Sequence, residues 1–136
     1  MRQILALAAA LLIAAGGMLS PALAQQFKGE VVIGMQCDRT GATQIVGVVL
    51  CPGTHDYIAL VNSKGGVEGF KIKALEIDHE YKVPPSIEAY ERHKKDGAVS
   101  IMVYGTPHIY ALAAKLTEDR LPGTSPGFGS AAACDQ

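Results

Sequence analysis

Three adjacent side chains that can bind a divalent metal ion occupy the segment Asp78–Glu80. A shared ion is excluded there, because neighbouring residues on an extended segment point to opposite faces. The chain has four histidines, at His55, His79, His93 and His108. Their spacing matches no common zinc site. We therefore expect no metal ion and no other cofactor, and we expect the histidines to be solvated or to cap helices.

Two further patterns could in principle support catalysis. A serine nucleophile on a sharp turn needs glycines on both sides, and Ser125-x-Gly127-x-Gly129 lacks the leading glycine. The glycine-rich stretch 123–129 could cradle a phosphate, but it has no lysine and does not join a strand to a helix in the required way. The sequence therefore predicts that the protein is not an enzyme.

Charge and length restrict the possible partners. The chain has 136 residues and a net charge of −1. Binding to nucleic acid or to an anionic membrane surface would need a clustered basic excess. A small-molecule ligand is consistent with this composition, and nucleic acid is not expected as a partner.

The first 24 residues have the three parts of a secretory signal peptide. Met1–Gln3 is positively charged, Ile4–Leu19 is almost wholly apolar, and Ala22-Leu23-Ala24 forms a small-x-small cleavage site. A membrane anchor is the alternative, but the apolar run is short and no charged cluster follows it. We expect export to the periplasm, cleavage after Ala24, and no lipid anchor, because residue 25 is Gln rather than Cys.

Export would permit a disulfide, but the three cysteines, Cys37, Cys51 and Cys134, leave at least one unpaired. Cys37 lies at a predicted strand end and Cys51 lies two turns inside the next predicted helix. Two helical turns rise about 11 Å, which exceeds the usual span of a disulfide. We therefore expect Cys37 and Cys51 to be buried free thiols.

Strands and helices alternate along the rest of the chain. Apolar runs predict strands at 30–35 and 98–104, the partly alternating stretch 70–77 predicts another, and 121–125 could form a weak fourth strand. Helices are predicted at 43–62, with a kink or restart at Pro52, at about 84–95, and at 108–119. This order predicts an open parallel sheet with helices on both faces, an α/β fold of the flavodoxin-like kind. Ligands of such sheets bind in the loops at the carboxyl ends of the strands, here 37–43, 104–108 and 125–130.

The segment Val61–Gly69, VNSKGGVEG, resembles the N-x-x-GG-(I/V)-x-G stretch of type I periplasmic binding proteins. The most similar group is the branched-chain amino-acid (Leu/Ile/Val) receptors of ABC transporters. Four further features match that family in register: Thr40-Gly41, Gly53, Asp96-Gly97 and Ser125-Pro126. Members of the family are much longer and have two lobes that close on a ligand through a hinge. The resemblance implies that residues 25–136 form part of the N-terminal lobe, following a signal peptide at 1–24.

The resemblance also implies a ligand site. In these receptors the first lobe holds the carboxylate and amine of the ligand through hydroxyls and backbone groups at strand ends, where helix N-termini favour an anion. Carried over by position, the expected ligand-binding residues are Gln44, Val46, Tyr104, Thr106, Phe128 and Ser130. Thr106 is also placed where it could cap the third helix.

The implied function is the substrate-binding component of an ABC uptake transporter, which passes a small organic acid to a membrane permease. A branched-chain amino acid is the first expected ligand. Pro107 stands where the family tends to have a small hydroxyl residue, and Val46 and Phe128 are apolar, so an aromatic carboxylate is an alternative. A different class of function, a sensing or interaction module built on a flavodoxin-like domain, is the second hypothesis.

Overall fold

The computed structural model describes residues 26–127 and 129. Its strands are β1 (Gly29–Cys37), β2 (Phe70–Asp78), β3 (Ser100–Met102) and β4 (Gly123–Thr124), and its helices are α1 (Gln44–Ser63), α2 (Val83–Lys95) and α3 (Thr106–Glu118). The strands form one parallel sheet in the order β2-β1-β3-β4. The predicted α/β fold is confirmed. The third and fourth strands are shorter than their apolar runs predicted, and α1 continues through Pro52 without a restart.

The two faces of the sheet have separate cores, because successive residues of a strand point to opposite sides. Ile101 of β3 packs into a cluster that α2 and α3 supply, with Tyr90 and Leu112 at its centre. Met102, the next residue, contacts the second cluster, which α1 supplies and which contains Met35. The helices therefore cover both faces, as predicted.

The asparagine of the matched motif ties α1 to the sheet. Asn62 donates from Nδ2 to the carbonyl oxygen of Ile72 at 2.8 Å and accepts from the Ile72 amide at 2.8 Å. Its side-chain amide thus pairs with β2 as a neighbouring strand would. This pairing fixes the end of α1 against the outer edge of the sheet, and it gives the motif a physical reason.

Candidate functional site

The loops that follow the four strands meet at one edge of the sheet, because all the strands are parallel. The chain goes from β1 outward to β2 and then crosses back to β3 on the other side of β1. Ligands of open α/β sheets bind in the crevice at such a switch in strand order. The candidate site is therefore the carboxyl edge between β1 and β3, with the adjoining starts of α1 and α3.

Asp38 organises the loop between β1 and α1. Its buried carboxylate accepts hydrogen bonds from the amide of Gly41 at 2.5 Å, and from the amide and hydroxyl of Thr43 at 2.6 and 2.7 Å. Burial acts to raise the pKa of Asp38, but the bonds from Thr43 and Gly41 outweigh it and hold the pKa below its usual value. Gly47 is needed nearby, since a β-carbon there would overlap the carbonyl oxygen of Asp38.

Asp78 has the matching role at the end of β2. It accepts hydrogen bonds from the amides of Arg39 and Glu80 at 3.1 and 2.9 Å, and from the hydroxyl of Thr40 at 2.8 Å. Burial acts to raise its pKa, and the hydrogen bonds from Glu80, Thr40 and Arg39 reverse that and lower it. The carboxylate oxygens of Asp38 and Asp78 thus accept hydrogen bonds from the loops, so both residues hold the loops in position.

Two histidines stack beneath the same edge. His79, directly after β2, accepts a hydrogen bond from the Tyr81 amide at Nδ1 and donates from Nε2 to the carbonyl oxygen of Tyr104, both at 3.0 Å. Its ring lies 4.2 Å from that of His108 on α3, with the planes 14° apart. The Tyr81 ring completes the cluster, and its centre lies 4.8 Å from the centre of the His108 ring.

Burial keeps this pair of histidines neutral. It lowers the pKa of His79, and burial together with the neighbouring His79 lowers the pKa of His108 to about 4. The prediction that the histidines are solvated or capping is wrong for three of them, because His79, His93 and His108 are fully buried. His93 packs against Gly34 of β1, and the half-exposed His55 pairs with Glu76 at 2.7 Å.

Cys37 and Cys51 form a disulfide, with 6.4 Å between their α-carbons. The expectation of two free thiols is wrong, because it treated the helical rise as added separation. The loop 38–43 carries the chain beyond the end of β1 and turns it back. Two turns of α1 then return Cys51 to the level of Cys37.

An ionic network lies beside the disulfide. Arg39 donates to both carboxylate oxygens of Glu76, at 2.6 and 2.8 Å, and these bonds lower the pKa of Glu76. Glu76 and the two sulfurs have ligand atoms within 4.8 Å of one another. The disulfide and the guanidinium occupy these groups, so the cluster serves to hold α1 and the β1 loop to β2.

The structure places the six expected site residues as follows. Gln44 and Val46 are exposed on the first turn of α1, and Thr106 is the half-buried first residue of α3. The helix is capped at Gly105 rather than by the Thr106 side chain. Tyr104 is buried against His79 and Tyr81. Phe128 and Ser130 lie outside the described residues.

The loop after β4 lies directly against Thr106. A β-carbon at Gly127 would come within 3.2 Å of the Thr106 hydroxyl, and one at Gly129 within 2.7 Å of its methyl group. A β-carbon at Gly129 would also meet the hydroxyl of Tyr110 at 2.5 Å. The predicted ligand-binding loops that follow β3 and β4 therefore converge. The edge carries the hydroxyls of Thr106 and Tyr110 beside the backbone of Gly127 and Gly129, groups that can bind a polar head group.

A family model described as periplasmic binding protein matches residues 30–136. The chain belongs to the periplasmic binding protein family. No curated protein matches its sequence.

Solved structures of periplasmic binding proteins share the fold. A fatty acid ABC transporter substrate-binding protein from Thermomonospora curvata is 23% identical, with a TM-score of 0.71, over 76% of this chain and 26% of that one. A branched-chain amino acid transporter substrate-binding protein from Streptococcus pneumoniae, in complex with isoleucine, is 16% identical, with a TM-score of 0.71, over 79% and 32%. A leucine-binding protein from Thermotoga maritima is 19% identical, with a TM-score of 0.67, over 78% and 30%. The chain thus spans 26–32% of the length of these three proteins.

Proposed function

We propose that this chain is the first part of an exported receptor that binds a small organic carboxylate and delivers it to the membrane permease of an ABC uptake transporter. Family membership supports the receptor role. The observation that carries the proposal further is the close approach of Gly127 and Gly129 to Thr106 at the start of α3, at the carboxyl edge beside the switch in strand order.

The proposed ligand is a carboxylate with an apolar tail. Amides at a helix N-terminus and a neighbouring hydroxyl form a natural anion site. Pro107 has no N–H, and the amides of His108 and Ile109 donate to the carbonyl oxygen of Gly105, so Thr106 would supply the amide and the hydroxyl of this site. Ser130 is the second hydroxyl that the resemblance implies. Isoleucine, which is bound to the Streptococcus pneumoniae protein, and fatty acids, after which the Thermomonospora curvata protein is named, share a carboxylate and an apolar tail. The resemblance implies that Val46 and Phe128 contact such a tail and that Gln44 borders the head group.

Buried Tyr104 has a supporting part in this proposal. Its carbonyl oxygen accepts a hydrogen bond from His79, and its ring packs between His79 and Tyr81. It holds the turn before Thr106 in place and presents only a small part of its ring to a ligand. Branched-chain amino acids remain the first ligands to test, with fatty acids and aromatic carboxylates beside them.

The test is calorimetric titration of the two-lobed receptor that contains this lobe. Thr106→Ala and Ser130→Ala should each weaken binding of the carboxylate by about ten- to a hundredfold, because a hydrogen bond to a charged group contributes about 1.5–3 kcal/mol. Thr117→Ala, an exposed threonine at the other end of α3, is the matched control and should bind like the parent.

Two results would contradict the proposal. If Thr106→Ala, Ser130→Ala and Thr117→Ala all bind as the parent does, the site assignment is wrong. If a folded two-lobed protein binds no carboxylate of any of the three classes, the receptor function falls, and the sensing or interaction module becomes the better hypothesis.

A further inference from the structure

Potential metal ligands from three elements gather beside the disulfide. Cys37 ends β1, and Cys51 lies on the side of α1 that packs against the sheet. An oxygen of Glu76, on β2, and the two sulfurs all lie within 4.8 Å of one another. His55 follows Cys51 by four residues, which puts both on the same side of α1. The Nε2 atom of His55 is 2.7 Å from Oε2 of Glu76.

Two sulfurs, a carboxylate oxygen and an imidazole nitrogen are a donor set that suits zinc. Structural zinc sites are almost always four-coordinate and tetrahedral, and they use these three ligand types. With bonds of about 2.0–2.3 Å, the ligand atoms of such a site lie roughly 3.3–3.8 Å apart. The cysteine sulfurs and Glu76 therefore have to shift by only about 1 Å from their present spacing.

We propose that Cys37, Cys51, Glu76 and His55 form a zinc site when the disulfide is reduced. The inference is independent of the proposed ligand site. A dithiol reductant gives two electrons and two protons to the disulfide and itself becomes a disulfide. The two cysteines are then thiols, and they release both protons to solvent as their sulfurs bind Zn²⁺.

The charges of the proposed site balance. Two thiolates and the carboxylate of Glu76 are negative, and the zinc ion and the guanidinium of Arg39 together carry the same amount of positive charge. Arg39 donates from Nε to Oε1 of Glu76 at 2.6 Å, and it keeps this bond in the proposed site. The other oxygen, Oε2, faces His55 and binds the ion. Arg39 would thus orient a metal ligand from outside, as second partners of such ligands commonly do.

The ion can enter from the side of His55. The His55 side chain is 41% exposed and that of Glu76 is 18% exposed, whereas both cysteines are fully buried. Once bound, the ion would tie α1 to β1 and β2 at the place where the disulfide now ties α1 to β1. The loop that contains Asp38 would therefore stay closed in the reduced chain.

Titration of the reduced chain with Co²⁺ tests the proposal, because Co²⁺ can replace zinc and its absorption reports thiolate ligands and tetrahedral geometry. The chain carries Cys134→Ser, is reduced in urea with tris(2-carboxyethyl)phosphine, and is diluted into buffer free of oxygen. A single equivalent of Co²⁺ should give a charge-transfer band of two thiolates and the visible bands of a tetrahedral ion. Zn²⁺ should displace it, and the oxidised chain should show no such bands.

Variants identify the ligands. Cys51→Ser should abolish the two-thiolate band. His55→Ala and Glu76→Gln should keep the band but weaken Co²⁺ binding by about tenfold or more, because even the outer partners of metal ligands change affinity by roughly 10–100-fold. Asp56→Asn, which removes an exposed carboxylate next to His55, is the matched control and should bind like the parent.

Stability gives a second readout. Zn²⁺ should raise the urea midpoint of the reduced chain and leave that of the oxidised chain unchanged, since only the reduced fold binds the ion. The proposal is overturned if the reduced chain shows no two-thiolate band, or if Asp56→Asn weakens binding as much as His55→Ala does. A band whose affinity neither His55→Ala nor Glu76→Gln changes would mean that the cysteines bind the ion without them, and would overturn the four-residue site.

Discussion

Reduction of the disulfide between Cys37 and Cys51 should strongly destabilise this lobe. The bond joins residues 14 positions apart in the sequence. Closing a loop of about 15 residues is worth about 3 kcal/mol, chiefly because it restricts the unfolded chain. The loop that the disulfide closes contains Asp38 and the start of α1. Reduction of the disulfide therefore also releases one wall of the candidate site.

Urea unfolding of the mature chain, followed by circular dichroism, measures this effect. With a slope of about 1–3 kcal/mol per molar urea, a loss of about 3 kcal/mol lowers the midpoint by about 1–3 M. The double variant Cys37→Ala with Cys51→Ala should unfold near the midpoint of the reduced parent, and dithiothreitol should not shift it further.

Thiol counting provides the control. Alkylation in denaturant without reductant should label Cys134 alone, and prior reduction should raise the count to three. Three labels without reductant, or a midpoint that reduction leaves unchanged, would refute the reasoning and restore the free-thiol interpretation.

Three other predictions follow from the same observations. Mass spectrometry of periplasmic extract should find a chain that begins at Gln25; a product that retains Met1 would refute cleavage after Ala24. Because the pKa of folded His108 is about 4, below the usual value near 6.5, the unfolded chain binds more protons between these values, and stability should fall by up to about 3 kcal/mol as pH drops from 6.5 to 4. His108→Phe should reduce that decline in urea titrations at successive pH values but not abolish it, because the pKa of buried His79 is lowered as well; an unchanged slope would contradict the role of His108. Asp38→Asn should lower the unfolding free energy by about 2–3 kcal/mol at pH 7, because charge-assisted hydrogen bonds to Gly41 and Thr43 are weakened; loss of less than about 0.5 kcal/mol would contradict the positioning role.

Local pattern was enough to predict the architecture. The apolar run at 30–35 lies inside β1, whose last four residues are buried, because a central strand covered on both faces is apolar. The alternating stretch 70–77 lies inside β2, an edge strand on which Lys71 and Lys73 are exposed. The motif that contains Asn62 was enough to identify the family from a few residues. Its asparagine is needed because the Asn62 side chain pairs with the backbone of Ile72.

The details of the site depend on distances across the fold, which local pattern does not contain. The sequence places Cys37 and Cys51 far apart only if the loop between them is assumed to be extended. His79 and His108 are separated by 29 positions and meet because β2 ends and α3 begins at the same edge. Asp38 and Asp78 were also missed, although each is an acidic residue at a strand end followed by a turn, a signal for carboxylates that hold loop amides.

Amide hydrogen exchange of the two-lobed receptor, with and without the carboxylate that binds best in titration, shows whether the ligand binds at the carboxyl edge of the sheet. We expect slower exchange on ligand binding in the segments 38–46, 104–108 and 125–130, and unchanged exchange at 92–96, where α2 ends. Protection at 92–96 that leaves the three loops unaffected would place the ligand elsewhere and contradict binding at this edge.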